Sequence, residues 1–444
     1  MTTAVLIDEK IAPPSPDQSA LGQTANWIFR PLDFMEQTQR ELGDVFSVRV
    51  LGWSTLVLVS DPSLIKEIFA ADPATLQTGK ANDLMGPVVG RHSVFLLDGT
   101  EHRQVRRVLV NAFNLEAARI AAAFSAERVL EIATERSDDR FHDVHRFFGE
   151  IALATMLKAV FGITDRLIVK QYAQQFQLIL GGLSTYLAYL RFLQKDFGPG
   201  SPGWWIRTKM GALHRMIEHD LAYAENTTPA LQIRDSLEAM GLENATTIAR
   251  DQIVSLIVAG HDTVASALSW SLYWLLEKPE IMEALRAEIL SVSDFAAIEK
   301  APLLDAVCLE ALRLVPTVEI VSRQAMQDIQ IGNYLISKGT LVSPCVYLLH
   351  RNEKLFPKPT EFMPERFMNR QFALHEYIPF GGGLRRCLGA NLGLLEMKAV
   401  LVALLSNFDI EPFAIERVKP QRRNVTIAPS PSFRVRFKPQ PSKR

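Results

Sequence analysis

Residues 380–389 read Phe-Gly-Gly-Gly-Leu-Arg-Arg-Cys-Leu-Gly, a glycine-rich loop carrying Cys387 near its end. Directly behind it, Ala390 to Leu405 repeats apolar residues at helical spacing, so the sulfur lies where a loop enters a helix. Such a helix start presents unpaired N–H groups and a positive dipole end, which favour a thiolate over a thiol. Glycines let the backbone press against a flat object, and Phe380 can cover the sulfur. The combination suits a thiolate that ligates a metal. The competing reading is a small core cysteine beside an ordinary turn. The stretch matches neither the phosphate-loop nor the dinucleotide fingerprint, and it has no cysteine or histidine neighbour at zinc spacing.

A second polar set, Ala259-Gly260-His261-Asp262-Thr263, interrupts the long apolar helical pattern from Asp251 to Glu277. A glycine, an acid and a hydroxyl inside so apolar a helix cost stability, which points to local distortion at a functional site or to an exposed polar turn. In the stretch 98–107, Asp-Gly-Thr-Glu-His-Arg-Gln-Val-Arg-Arg, His102 and Arg106 share one helical face. Glu310 and Arg313 face each other in the same way, a pairing that by itself is common on surfaces and worth little.

The elements that must position these residues follow from patterning. Trp27 to Leu42 is expected to be one amphipathic helix, followed by strands at Val45 to Val50 and Ser54 to Ser60 and a helix from Pro62 to Ala71. Between Asp72 and Val94 the periodicity fades, and Thr78 to Asp83 reads as a loop that could form a flap. Helices are expected over Leu115 to Glu135, Ile151 to Phe161, Arg166 to Leu193 and Trp204 to Ala224, the last two separated by Gly-Pro-Gly-Ser-Pro-Gly at 198–203. Thr317 to Arg323 reads as an extended strand. Its alternation puts Val318 and Ile320 on one side and Glu319 on the other, toward solvent. Ile329 to Val342 contains turns at Gly332-Asn333 and Lys338-Gly339 and reads as hairpin-rich.

Composition sets the bounds. The 444 residues carry no linker or charge block dividing the middle, so residues 1–444 are expected to form one domain, with 1–20 a flexible tail. Hydrophobic residues at 48% and charged residues at 22% describe a chain able to bury a sizeable core. A net charge of −1 gives no electrostatic footprint for nucleic acid or an anionic membrane. Cys308, Cys345 and Cys387 are few and scattered, which argues against a disulfide framework and for a reducing, cytoplasmic setting. Cys308 and Cys345 lack ligand-like company and are expected in the core. Met1 to Ser19 has no long apolar run, so no transmembrane anchor is expected there.

Phe380, Gly383, Arg385, Cys387 and Gly389 match every specified position of Phe-x-x-Gly-x-Arg-x-Cys-x-Gly, and the chain on this ground resembles the cytochrome P450 family. The resemblance implies a mainly α fold, the helical triangular prism with a small β-rich lobe. It also implies haem b (iron protoporphyrin IX), with Cys387 as the proximal iron ligand and Arg385 at a haem propionate. The 98–107 stretch is similar to the family helix that binds a propionate through His102 and Arg106, and Arg323 matches a further propionate arginine. Residues 259–263 are similar to the family's oxygen-binding motif. There Gly260 leaves room for dioxygen, Thr263 hydrogen-bonds the bound oxygens and Asp262 relays protons through water, while His261 is expected to be structural or on the surface. Glu310 and Arg313, with Arg366 of Pro364-Glu365-Arg366-Phe367, resemble the family's buried charged cluster.

The reaction implied is monooxygenation of an apolar small molecule, with Ala259, Val318 and Ile320 bordering the substrate. The 166–224 helical pair would form a lid whose inner face offers Phe176, Leu178, Leu183, Tyr186, Leu187, Leu190 and Phe192. Glu319, if it turned inward, would favour a cationic or hydrogen-bond-donating substrate. Electrons are expected from a separate ferredoxin or flavodoxin with its reductase, docking on a cationic face of Arg103, Arg107, Arg386 and Lys398 of a monomer. The segments 79–83 and 323–367 look more like fatty-acid-hydroxylating and cyanobacterial-type members, which ranks fatty acids, terpenoids, steroids and natural-product intermediates first. Oxidative coupling or rearrangement without net oxygen insertion, or a non-catalytic haem sensor, are the alternatives.

Overall fold

The computed structural model describes residues 11–180, 194–225, 227–291 and 295–441. Its centre is a set of helices, Leu115–Glu135, Val144–Phe161, Ala245–Glu277 and Ala390–Asn407, packed on one another. Val144–Phe161 is apolar nearly all round, which demands burial on every side. Asp143 caps its start by accepting from the Arg146 N–H at 2.7 Å, and Gly162, at φ +75°, ends it. Small residues let the Cys387-proximal helix come close to its neighbour: Ala118 and Ala122 meet Leu395 and Ala399. The helices Ala245–Glu277 and Ala390–Asn407 are long and apolar enough to cross a membrane, yet most of each apolar window is buried inside the protein. Their apolarity is used up in the core.

Glu396 lies in this interface, fully buried. Burial pushes its carboxyl up to about 8, a shift that the Thr155 hydroxyl only partly opposes. The unfolded chain releases this proton near 4.5, so between about 4.5 and 8 the folded state holds the extra proton and stability falls as pH rises. Glu396→Gln should therefore flatten the decline of the thermal midpoint across that window and stabilise the protein by about 2 kcal/mol at pH 8. Thermal unfolding of both proteins at a series of pH values checks this; parallel curves would mean that Glu396 ionises without cost.

The β-structure gathers to one side. A five-stranded sheet runs in the order Val45–Val48, Leu56–Val59, Leu341–Pro344, Arg323–Ala325, Leu76–Gln77, with Leu56–Val59 and Leu341–Pro344 parallel. Arg323 opposes Val342 in it, so strands distant in sequence fix this arginine. A hairpin, Pro420–Arg423 with Thr426–Pro429, packs on the long central helix.

Several expectations change. Trp27 to Leu42 is two helices, Ala20–Phe29 and Pro31–Leu42, because Pro31 cannot continue the first and sits instead in the opening turn of the second. The expected flap begins with a short helix, Thr78–Ala81, held by Asp98, which accepts from the Gly79 and Lys80 N–H groups at 3.0 and 3.2 Å. The motif at 259–263 does not interrupt its helix; Ala245–Glu277 is continuous over 33 residues. Thr317 to Ile320 forms no ladder beyond a bridge between Ile320 and Cys345, because its partners come singly from different elements. The Ile427 N–H donates to Thr317 O at 2.9 Å, and the Tyr347 N–H to Glu319 O at 3.3 Å. Cys308 and Cys345 are fully buried, as expected, and burial pushes each thiol up to about 12.

Candidate active site

The loop carrying Cys387 is shaped by glycine and by Phe69. Gly381 and Gly383 adopt φ of +64° and +65°, and a Cβ on Gly382 would come within 2.2 Å of the Phe69 ring. The turn closes when the Cys387 N–H donates to Phe380 O at 2.8 Å. Gly389 differs, since a Cβ there would meet no atom of the protein. The packing of the chain does not require that glycine, whereas a flat group lying against the loop would.

The Cys387 side chain is accessible, though protein surrounds it closely. Burial raises its pKa, with the Gly389 N–H, Arg106 and Arg386 pulling the other way. A bound metal ion would displace the proton.

Cations converge beside this loop. Phe69, Asp98, His102, Arg103, Arg323 and Arg385 line one cleft. Arg385 is anchored to Asp98 at 2.5 Å and to the carbonyls of Val94, at 3.0 Å, and Leu97. Arg323, buried, lies over the Phe69 ring at 4.7 Å and donates to Gly382 O at 3.2 Å. Burial and nearby Arg385 push its guanidinium down to about 10. Arg106 donates to Arg386 O at 2.6 Å. Burial and the neighbouring arginines hold His102 at about 4, so its imidazole is neutral at pH 7. Among the described residues, Asp98 is the only carboxylate ion-paired with Arg106, Arg323 or Arg385. Arg323, buried, and Arg106 and Arg385, half-buried, share one matching acid and call for an anion from elsewhere. Asp98 organises both the short helix and Arg385; an aspartate opening a helix is its one local signal in the sequence.

On the helix Ala245–Glu277, Ile257 and Val264 are buried, whereas Ala259, Gly260, Asp262 and Thr263 between them are only half-buried. Gly260 has a packing reason of its own, because a Cβ would lie 2.4 Å from Met156 Sδ. Thr263 donates its hydroxyl to Ala259 O at 2.5 Å. Asp262 accepts from the Thr426 hydroxyl at 2.5 Å and lies 3.5 Å from His145 Nε2. Neither partner was legible in the sequence, since both are far away along the chain. His261 lies beside Phe176, ring centroids 6.2 Å apart and tilted by 48°, in keeping with a structural role.

Val318 and Ile320 are half-buried and Glu319 is buried, so alternation holds but its direction reverses. Glu319 does not face solvent. Arg422 meets it at 2.5 Å inside the protein and neutralises it. Lys398 likewise leaves the expected cationic face: it is buried and paired with Asp305 at 2.5 Å, while Arg103, Arg107 and Arg386 are exposed. Of the expected lid stripe, Phe176 is buried but Leu178 is exposed, since one turn of helix cannot present both inward. Leu183, Tyr186, Leu187, Leu190 and Phe192 lie outside the described residues. Glu310, Arg313 and Arg366 do form a cluster, with Arg313 bidentate to Glu310 at 2.6 and 2.8 Å and Arg366 at 3.1 Å.

A single accessible cysteine under a glycine cradle, flanked by cations short of acids, fits a planar, dianionic, iron-bearing group. Fold and site together define the haem-thiolate class of oxidoreductases. The chain matches the sequence model described as cytochrome P450 over residues 13–437. It is 32% identical to a Mycobacterium tuberculosis protein named cytochrome P450 135A1, covering 92% of this chain and 91% of that one. It is also 31% identical to a Mycobacterium bovis protein named cytochrome P450 135B1, with 96% and 91% covered. Among solved structures, retinoic-acid-bound cyanobacterial CYP120A1 superposes with a TM-score of 0.85 at 22% identity, over 97% of this chain and 100% of that chain. The chain belongs to the cytochrome P450 family. It has the P450 fold, takes haem b and is a haem-thiolate monooxygenase.

Proposed function

We propose that Cys387 ligates the haem iron, and that His102, Arg106, Arg323 and Arg385 hold the propionates. Asp262 and Thr263 then serve proton delivery on the opposite face. The observation that carries this reading is the convergence of Arg323, buried, and Arg385, half-buried, on the cleft beside the cysteine loop, with Asp98 the one carboxylate paired to them among the described residues. Haem supplies the oxygen chemistry when bound. The chain supplies the thiolate, the cationic grip and a hydroxyl–acid pair that moves protons. The test is the spectrum of the reduced protein under carbon monoxide. A strongly red-shifted Soret band is expected, and an imidazole-type or haem-free spectrum would reject the reading.

The substrate is an apolar small molecule hydroxylated in the space bordered by Ala259, Val318 and Ile320. Their half-buried, uncharged side chains support this, as does the neutralisation of Glu319 by Arg422, which removes the reason to expect a cationic substrate. The structural neighbour was solved with retinoic acid, an elongated apolar acid, so all-trans retinoic acid and long-chain fatty acids are the first probes. A low-to-high spin shift on addition marks a fit. Exposed Arg103, Arg107 and Arg386 would receive a ferredoxin or flavodoxin in the cytoplasm. Charge reversal at all three should slow electron transfer about tenfold at low salt, and less as salt is raised. Stopped-flow reduction at two ionic strengths checks this, and unchanged rates would remove the docking face.

A further inference from the structure

The Asp262 carboxylate is held from two sides by elements with no place in the oxygen motif. Thr426, buried, directs its hydroxyl at Asp262 Oδ2 at 2.5 Å. The same hydroxyl lies 2.9 Å from Arg423 O, but the shorter contact to a charged acceptor is the stronger one. On the other oxygen, His145 Nε2 stands 3.5 Å from Oδ1 and 3.1 Å from Ser266 Oγ. His145 opens the Val144–Phe161 helix, and Thr426 belongs to the Pro420–Pro429 hairpin. That hairpin cannot drift. Trp270 Nε1 donates to Ile427 O at 3.0 Å, tying it to the helix that carries Asp262. The Ile427 N–H and Arg422 tie it to Thr317 and Glu319, beside the substrate-bordering side chains.

We propose that Thr426 is the positioning residue for Asp262, holding its carboxylate, with His145 on the second oxygen, in the orientation from which a proton passes toward Thr263. An acid that can rotate freely spends most of its time pointing elsewhere, and a short charge-assisted bond to a fixed hydroxyl removes that loss. The inference rests on the reading of Asp262 as the proton relay.

The test uses haem-loaded protein with a plant-type ferredoxin, its reductase and NADPH, without added substrate. Three readouts are taken: the infrared carboxylate band of Asp262, assigned by its loss in Asp262→Asn, the rate of oxygen consumption, and its solvent deuterium isotope effect. Thr426→Val, close in shape, should shift the band, slow oxygen consumption roughly tenfold and enlarge the isotope effect, while Thr426→Ser restores all three. In the Asp262→Asn background Thr426→Val should add nothing. An unshifted band, or the same extra slowing in the Asp262→Asn background, would overturn the clamp while leaving the relay standing. If Asp262→Asn alone left the rate and isotope effect unchanged, the relay reading would fall and this proposal with it.

Discussion

Cys387→Ser should abolish the red-shifted carbon monoxide spectrum and lower monooxygenase turnover by roughly a thousandfold, while the protein still folds. Cys387 has two separable jobs, one for its backbone and one for its side chain. The loop is shaped by Gly381, Gly382 and Gly383 against Phe69 and by the Cys387 N–H donating to Phe380 O, a backbone bond that serine keeps. The side chain itself is accessible and makes no core contact worth much stability. What serine lacks is the soft, electron-rich sulfur that pushes density toward iron. Cys387→His tests the same point from the other side, since it should retain haem with an imidazole-type spectrum. The checks are the absolute and carbon-monoxide difference spectra, together with the thermal midpoint. A serine variant that kept the thiolate signature would mean that another group is the ligand. Cys308 and Cys345, fully buried with thiols held near 12, are poor substitutes.

Arg313→Met should be the most destabilising single change in the helical core, by about 3–5 kcal/mol. Arg313 and Glu310 are both completely inaccessible. Besides its two bonds to Glu310, Arg313 donates to the carbonyls of His350, Pro359 and Glu361 at 2.9, 2.8 and 3.1 Å. Methionine can fill most of the volume, yet it leaves three carbonyls without a donor and half of the Glu310 charge uncompensated. Arg366 remains on Glu310, and the Met363 N–H, donating at 2.8 Å, helps to hold it. Arg313→Lys should fail almost as badly, because an ammonium cannot reproduce a planar fork serving five acceptors. The double variant Glu310→Leu, Arg313→Met should recover part of the loss by removing the stranded charge. Denaturant unfolding of the four proteins checks the pattern. Near-neutral single variants would show that the cluster carries no stability, and haem content measured alongside would show whether its loss reaches the cysteine loop.

The chemistry was legible in the sequence because it depends on residues close together along the chain. A loop of glycines ending on a cysteine before a helix, or a glycine, acid and hydroxyl inside an apolar helix, keeps its meaning wherever the fold places it. The main helices were legible for the same reason: an apolar stripe at helical spacing needs only local information. Local errors arose where one residue overrode the pattern, as Pro31 does in splitting the first helix, or where a distant side chain organised a weak segment, as Asp98 does for Thr78–Ala81.

Local patterning already marks the residues able to carry the reaction and the helices that surround them. Which side chains become partners is settled only when the chain folds. Glu319 and Lys398 looked like surface charges and are buried in ion pairs with Arg422 and Asp305. Gly260 is constrained by Met156, whose side chain a Cβ there would strike. Asp262 is clamped by Thr426, 164 positions away, and approached by His145 from a third element. A charge shows its type in one letter of sequence. Whether it is desolvated, and which opposite charge or hydroxyl compensates it, depends on segments that meet only when the chain folds.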